Sequence, residues 1–133
     1  MFGKTSKPQN RIDSLIGGTT RIEGNVLFSG GLRVDGIVRG NVSALPDQPG
    51  TLVISEHARV DGEVQVAHLV VNGAINGAVH ATETLELQSS SRVKGDVHYK
   101  SIEMHQGAIV EGRLVHRDGV EIKAVELKLA SGA

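Results

Sequence analysis

The stretch Val60-Asp61-Gly62-Glu63-Val64 decides the fold, because the chain keeps returning to it. The phrase is an apolar residue, any residue, glycine, any residue, an apolar residue. It occurs as Ile22-Glu23-Gly24-Asn25-Val26 and Val38-Arg39-Gly40-Asn41-Val42 before that stretch. Ile75-Asn76-Gly77-Ala78-Val79, Val93-Lys94-Gly95-Asp96-Val97 and Val110-Glu111-Gly112-Arg113-Leu114 follow it. The central glycines step by 16, 22, 15, 18 and 17 residues. A near-fixed short period is the signature of a solenoid, in which each repeat stacks on the next.

A second phrase precedes the glycine phrase from the second repeat on, an apolar pair spanning one residue. The pairs are Leu32/Val34, Leu52/Ile54, Leu69/Val71, Leu85/Leu87 and Ile102/Met104, with Val120/Ile122 after the last glycine phrase. About 17 residues are too few for a helical-pair repeat, which needs roughly 33. Apolar residues at i, i+2 and i+4 have strand periodicity, and valine and isoleucine suit strands. Each unit is therefore one coil of a parallel β-helix, built from two or three short strands. Six coils about 4.8 Å apart make a rod of roughly 29 Å. The glycine sits where a side chain would crowd a narrow interior, at a bend or a close backbone approach.

The residue before each glycine runs Glu23, Arg39, Asp61, Asn76, Lys94, Glu111. Stacked coils make these residues cross-strand neighbours, and no two like charges are adjacent. That pattern supports the register more than it stabilises the fold, since an exposed pair contributes about 0 to 1 kcal/mol.

With 133 residues, the chain is one β-helical domain with tails. The expected boundaries are a tail over 1–16, the β-helix over 17–122 and a short strand or tail over 123–133. Aromatic residues are few (Phe2, Phe28, Tyr99), which a narrow core of valine, leucine and isoleucine tolerates. A net charge of -1 gives no nucleic-acid footprint. The absence of cysteine excludes disulfides and thiolate metal sites. No apolar run has membrane-spanning length, and no secretory signal is read at the start, so a cytoplasmic location is expected.

Residues 1–11 are polar, with Lys4, Lys7 and Arg11 and no acidic residue. Met1-Phe2-Gly3-Lys4 places an apolar pair beside cations. An ordinary flexible terminus explains this, and so does a weak membrane anchor. Burying Phe2 contributes about 1.5 to 3 kcal/mol and each lysine about 1 kcal/mol on an anionic leaflet, marginal for one chain and substantial for many displayed together. Residues 12–16 are expected to pack across the first coil as a cap. Residues 43–50, with Pro46, Asp47 and Pro49, lengthen one coil into a protruding loop. Residues 88–91 form a smaller polar bend.

A β-helix has two open ends with unpaired backbone groups and exposed core. The alternation Val120, Ile122, Val125, Leu127, Leu129 has the form of an apolar edge strand. Rods are therefore expected to join end to end through Ile22 and Val26 at one end and Val120, Ile122, Val125, Leu127 and Leu129 at the other. The alternative is that 123–133 folds back as a private cap.

No catalytic site, metal or cofactor is expected. The histidines at 57, 68, 80, 98, 105 and 116 are assigned to the solvated exterior. His80 and His98 fall three residues after their glycines and His116 four, so the three need not share a column. No phosphate-binding loop, dinucleotide motif or nucleophile elbow is present, and the acidic residues are spread singly.

The opening Ile12-Asp13-Ser14-Leu15-Ile16-Gly17, then Thr20-Arg21-Ile22-Glu23-Gly24 and Phe28-Ser29-Gly30-Gly31-Leu32-Arg33-Val34-Asp35-Gly36, resembles that of a bactofilin. The later coils are similar to that family over about 12–122. The resemblance implies an all-β, right-handed, roughly triangular parallel β-helix that polymerises without nucleotide into non-polar filaments. It implies a bacterial cytoskeletal scaffold serving cell shape or localised cell-wall synthesis. The implied partners are further copies of the chain, the inner face of the cytoplasmic membrane and proteins of cell-wall synthesis or hydrolysis, with no nucleic acid. The family's membrane-binding motif is matched by Met1, Phe2, Lys4 and Lys7. Competing readings are a hexapeptide-type acyltransferase, whose coils repeat every six residues on three equal sides, and a monomeric β-helical adaptor.

Overall fold

The computed structural model describes residues 11–117. All regular structure among them is strand, and every pairing is parallel. The chain winds through six coils, and each coil contributes to three strand columns, here called faces.

The first face stacks Arg21–Glu23, Ile37–Arg39, Arg59–Asp61, Ala74–Asn76, Arg92–Lys94 and Ile109–Glu111. Its register puts Glu23, Arg39, Asp61, Asn76, Lys94 and Glu111 in one column, as the charge pattern requires. The second face begins after the glycine with Val26–Phe28 and Val42–Ala44, and continues through the first halves of Val64–Val71, Val79–Leu87 and Val97–Met104 to Leu114–His116. The third stacks Ser14–Ile16, Gly30–Val34 and Gly50–Ile54 on the second halves of the three long strands.

The sequence displays two phrases per coil, yet there are three faces. The phrase around each glycine spans a corner: Val60 ends one face and Val64 begins the next, both fully buried. The glycine column is a close backbone approach at that corner. A Cβ on Gly40 would strike the Gly24 carbonyl oxygen, and one on Gly62 would strike that of Gly40. Gly77, Gly95 and Gly112 repeat the contact.

The inward positions form one continuous core. Val34, Val38, Val42, Leu52, Ile54, Val60, Val64, Val71, Ile75, Leu87 and Val97 are each 0 % exposed. Fully burying each such side chain is favourable by about 1.5 to 3 kcal/mol. That repeated contribution offsets the ordering of a chain with few aromatic residues.

The variation in glycine spacing has local causes. The 22-residue step holds a five-residue loop, 45–49, shorter than the expected 43–50 because Val42–Ala44 and Gly50–Ile54 are strands. Residues 88–91 turn back, with the Ser91 amide donating to the Gln88 carbonyl at 2.9 Å. The fourth coil carries an extra residue at one corner, where register shifts between Ala81 and Thr84.

One expectation needs correction. Residues 12–16 do not lie across the first coil as a cap, and the tail does not extend to residue 16. Ser14–Ile16 is the first strand of the third face, paired in register with Leu32, Arg33 and Val34. The Asp13 carboxylate also accepts a hydrogen bond from the Gly31 amide at 3.1 Å. Ile16 fills the inward position that Val34 and Ile54 fill above it.

Candidate functional site

The core column has to stop somewhere, and where it stops apolar side chains and unpaired strand edges are exposed. At one end Ile22 and Val26 occupy inward positions of the first coil but are half-buried, packed against the core from one side. At the other, Leu114 follows Val97 in its column and Met104 follows Leu87. Leu114 is 45 % exposed and Met104 44 %, while Val97 and Leu87 are 0 % exposed. Leu114 covers Val97, and among the described residues no coil covers Leu114 in turn.

Among the described strands, Arg21–Glu23 and Ile109–Glu111 stand at the two edges of the first face, each paired on one side. Such edges pair readily with another strand. Ile22 and Val26 lie in the first described coil. Met1, Phe2, Lys4, Lys7, Val120, Ile122, Val125, Leu127 and Leu129 lie outside the described residues.

Sequence reasoning missed the apolar rim around the first coil. Leu15 and Leu27 are 60 % and 65 % exposed and point sideways, flanked by inward residues. The available signal was their alternation: Leu27 lies between inward Val26 and Phe28, at a place that Ser43 and Gln65 fill in later coils.

The sides of the rod are polar and ordered coil to coil. Asn25 Oδ1 accepts from the Asn41 amide at 2.8 Å, and Asn41 Oδ1 from the Glu63 amide at 2.9 Å. Asp96 does the same for Arg113 at 3.0 Å. That hydrogen bond, and a second from the Arg113 side chain, hold the Asp96 carboxyl below its ordinary range. Asp61 is lowered chiefly by a hydrogen bond from Asn76 Nδ2 at 2.7 Å, with Arg59 adding to it. Asp35 is lowered first by Ser55, whose hydroxyl donates to it, and then by Arg33.

His80 and His98 do share a column, their rings stacked with centroids 4.5 Å apart, whereas His116 sits over Tyr99. Burial, then the neighbouring His80, lowers the His98 imidazole. Glu86, Glu103 and His105 bring ligand-type atoms within 4.8 Å of one another. His105 Nε2 lies 2.9 Å from Glu86 and 3.5 Å from Glu103, so the imidazole already bridges both acids. Two of the three residues are exposed. The geometry describes a surface cluster of polar contacts that ties neighbouring coils.

The described rod therefore has exposed apolar side chains in its first and last coils and a polar exterior ordered coil to coil. The family model for bactofilins, described as polymer-forming cytoskeletal proteins, matches residues 14–115. The chain belongs to the bactofilin family. Bactofilin BacP of Myxococcus xanthus (strain DK1622) is 32 % identical over 92 residues, 68 % of this chain and 38 % of BacP. Bactofilin BacO of the same organism is 24 % identical over 102 residues, 77 % of this chain and 78 % of BacO. The bactofilin match begins at the strand Ser14–Ile16 and ends within Leu114–His116, the first and last described strands. No solved structure matches the chain. Among the described residues no helix is long and apolar enough to cross a membrane.

Proposed function

We propose that this bactofilin is a non-catalytic scaffold whose rods join end to end into filaments without nucleotide. The observation that carries the reading is the exposure of Leu114 and Met104 at one end, with half-buried Ile22 and Val26 at the other. A further coil stacked on either end, supplied by a second copy, would bury these side chains and pair the open strand edges. Residues 120–129 would extend that contact through Val120, Ile122, Val125, Leu127 and Leu129. The segment Met1-Phe2-Gly3-Lys4, with Lys7, holds the filament to the cytoplasmic face of the membrane, where many weak anchors on one polymer add up. A filament so placed serves cell shape or local cell-wall synthesis by gathering proteins of those processes.

Leu114→Arg tests the reading. The substitution places a cation at the open end while every coil below keeps its neighbours. The variant should stay in the supernatant on high-speed centrifugation while retaining the β-sheet circular dichroism of the parent, which should pellet. Equal pelleting of the folded variant and the parent would refute assembly through that end.

A further inference from the structure

The third face carries a lengthwise pattern of its own. Its central outward column, read along the stack, is Leu15, Arg33, Val53, Val70, Glu86, Glu103. A cation stands second and an acid second from last, with two half-buried valines at the middle. Under reversal the four middle positions are complementary, while at the ends Leu15 meets Glu103. When a second copy is turned end over end about an axis along the strands, Arg33 faces Glu86 of that copy and Val53 faces Val70. The same operation sets the flanking Thr51 opposite His68, Ser55 opposite Asn72 and Asp35 opposite Gln88. No like charges meet.

The first face lacks this property, and the second, whose order also avoids like charges, is obstructed. On the first, the same reversal brings Arg39 against Lys94 and Glu23 against Glu111. Beside the second, the loop 45–49 stands over the corner and lines a hollow with Gln65, Ala67, Thr82 and Glu83, which obstructs a flat approach. Pairing third faces with the coils running the same way is also disfavoured, since Arg33 meets Arg33 and Glu86 meets Glu86.

We propose that the third face is a lateral docking surface for the third face of a second copy, with the two rods antiparallel. Sheets stack about 10 Å apart, a gap that Arg33 and Glu86 can bridge. Arg33 already holds Asp35 at 2.9 Å and Glu86 contacts His105 at 2.9 Å, so each residue joins an existing polar contact. A face of roughly 29 by 17 Å gives about 500 Å² per copy, below a standard stable interface, so free rods pair transiently and specificity comes from charge. This contact is independent of whether the ends join.

The chain has no cysteine, which makes trapping simple. Val53→Cys and Val70→Cys single variants of the full chain are mixed in equal amounts and treated with a short bis-maleimide. The expected result is a cross-linked dimer whose yield falls in about 0.5 M salt, where screening is strong. Ser43→Cys, on the second face, serves as the background level. Arg33→Glu or Glu86→Arg in both partners should each lower the yield about tenfold, because two pairs per contact become repulsive. The double exchange, Arg33→Glu with Glu86→Arg, should restore it. The restored yield also shows that the exchanged chains fold. A yield no higher than the Ser43→Cys background overturns the proposal. So does a yield insensitive to the single reversals, or one that the double exchange fails to recover in chains with native circular dichroism.

Discussion

The Cα of Gly62 rests against the carbonyl oxygen of Gly40 in the coil below, with no room for a side chain between them. The contact is backbone on backbone, so no rotamer change can relieve it. The φ of Gly62, 158°, is also one that residues with a side chain rarely adopt, so both the conformation and the close approach call for glycine.

Gly62→Ala should therefore destabilise the solenoid by about 1 to 3 kcal/mol through overpacking of a corner that cannot yield. Gly17→Ala is the control, since an added Cβ there meets nothing within 4 Å. It should be neutral or stabilise by up to about 1 kcal/mol through the unfolded chain. Urea midpoints of the two variants check both statements, and equal midpoints would contradict them.

The column Glu23, Arg39, Asp61, Asn76, Lys94, Glu111 was legible in sequence because a stack with a regular marker turns sequence spacing into contact. Arg39 stands 3.9 Å from Glu23, and Asn76 donates to Asp61, as neighbours in that column should. His80 and His98 stack for the same reason: both lie three residues past their glycines. What was not legible follows from shared or missing signals. Val26, Val42 and Val64 complete one phrase while opening the next face, so three faces present as two phrases. Ser14 occupies the place of Leu32, and at an open end an inward position need not be apolar, so Ser14–Ile16 did not register as a strand. Leu15 and Leu27 fall on outward positions, where alternation alone assigns solvent.

Asn41→Ala removes the oxygen that accepts the Glu63 amide. The site is exposed and water can replace it, so the loss should be about 0.5 to 1 kcal/mol. Asn41→Asp keeps the acceptor, as Asp96 does for Arg113, and should cost little. A urea midpoint for Asn41→Asp as low as that for Asn41→Ala would show that the hydrogen bond is not what matters.

Acid should act at two separate ranges. The Asp61 carboxyl is held below its ordinary 3.8 by Asn76 first and Arg59 after it. Its contribution to stability is complete above 3.8 and is lost as pH falls through the lowered folded value. His98 is also lowered, by burial and then by His80, from 6.5. The unfolded chain then binds the proton more readily, so stability falls as pH drops from about 6.5 toward the folded value. His98→Gln should flatten the upper limb and Asp61→Asn the lower one in a plot of urea midpoint against pH. An upper limb unchanged in His98→Gln would assign it to another group.

Phe2 lies outside the described residues, and its proposed anchoring role is separable from the rod. Phe2→Ser should lower co-sedimentation with phosphatidylglycerol vesicles while leaving assembly intact, since burying the ring contributes about 1.5 to 3 kcal/mol per chain. High salt should weaken the residual binding that Lys4 and Lys7 supply. Vesicle binding equal to the parent's in low salt would place the anchor elsewhere.

Negative-stain electron microscopy of the purified chain, without nucleotide and across a concentration series, tests the central claim most directly. Filaments whose axial repeat is a multiple of the coil spacing are the predicted result. Isolated rods at every concentration, about 29 Å long with both ends closed, would contradict it.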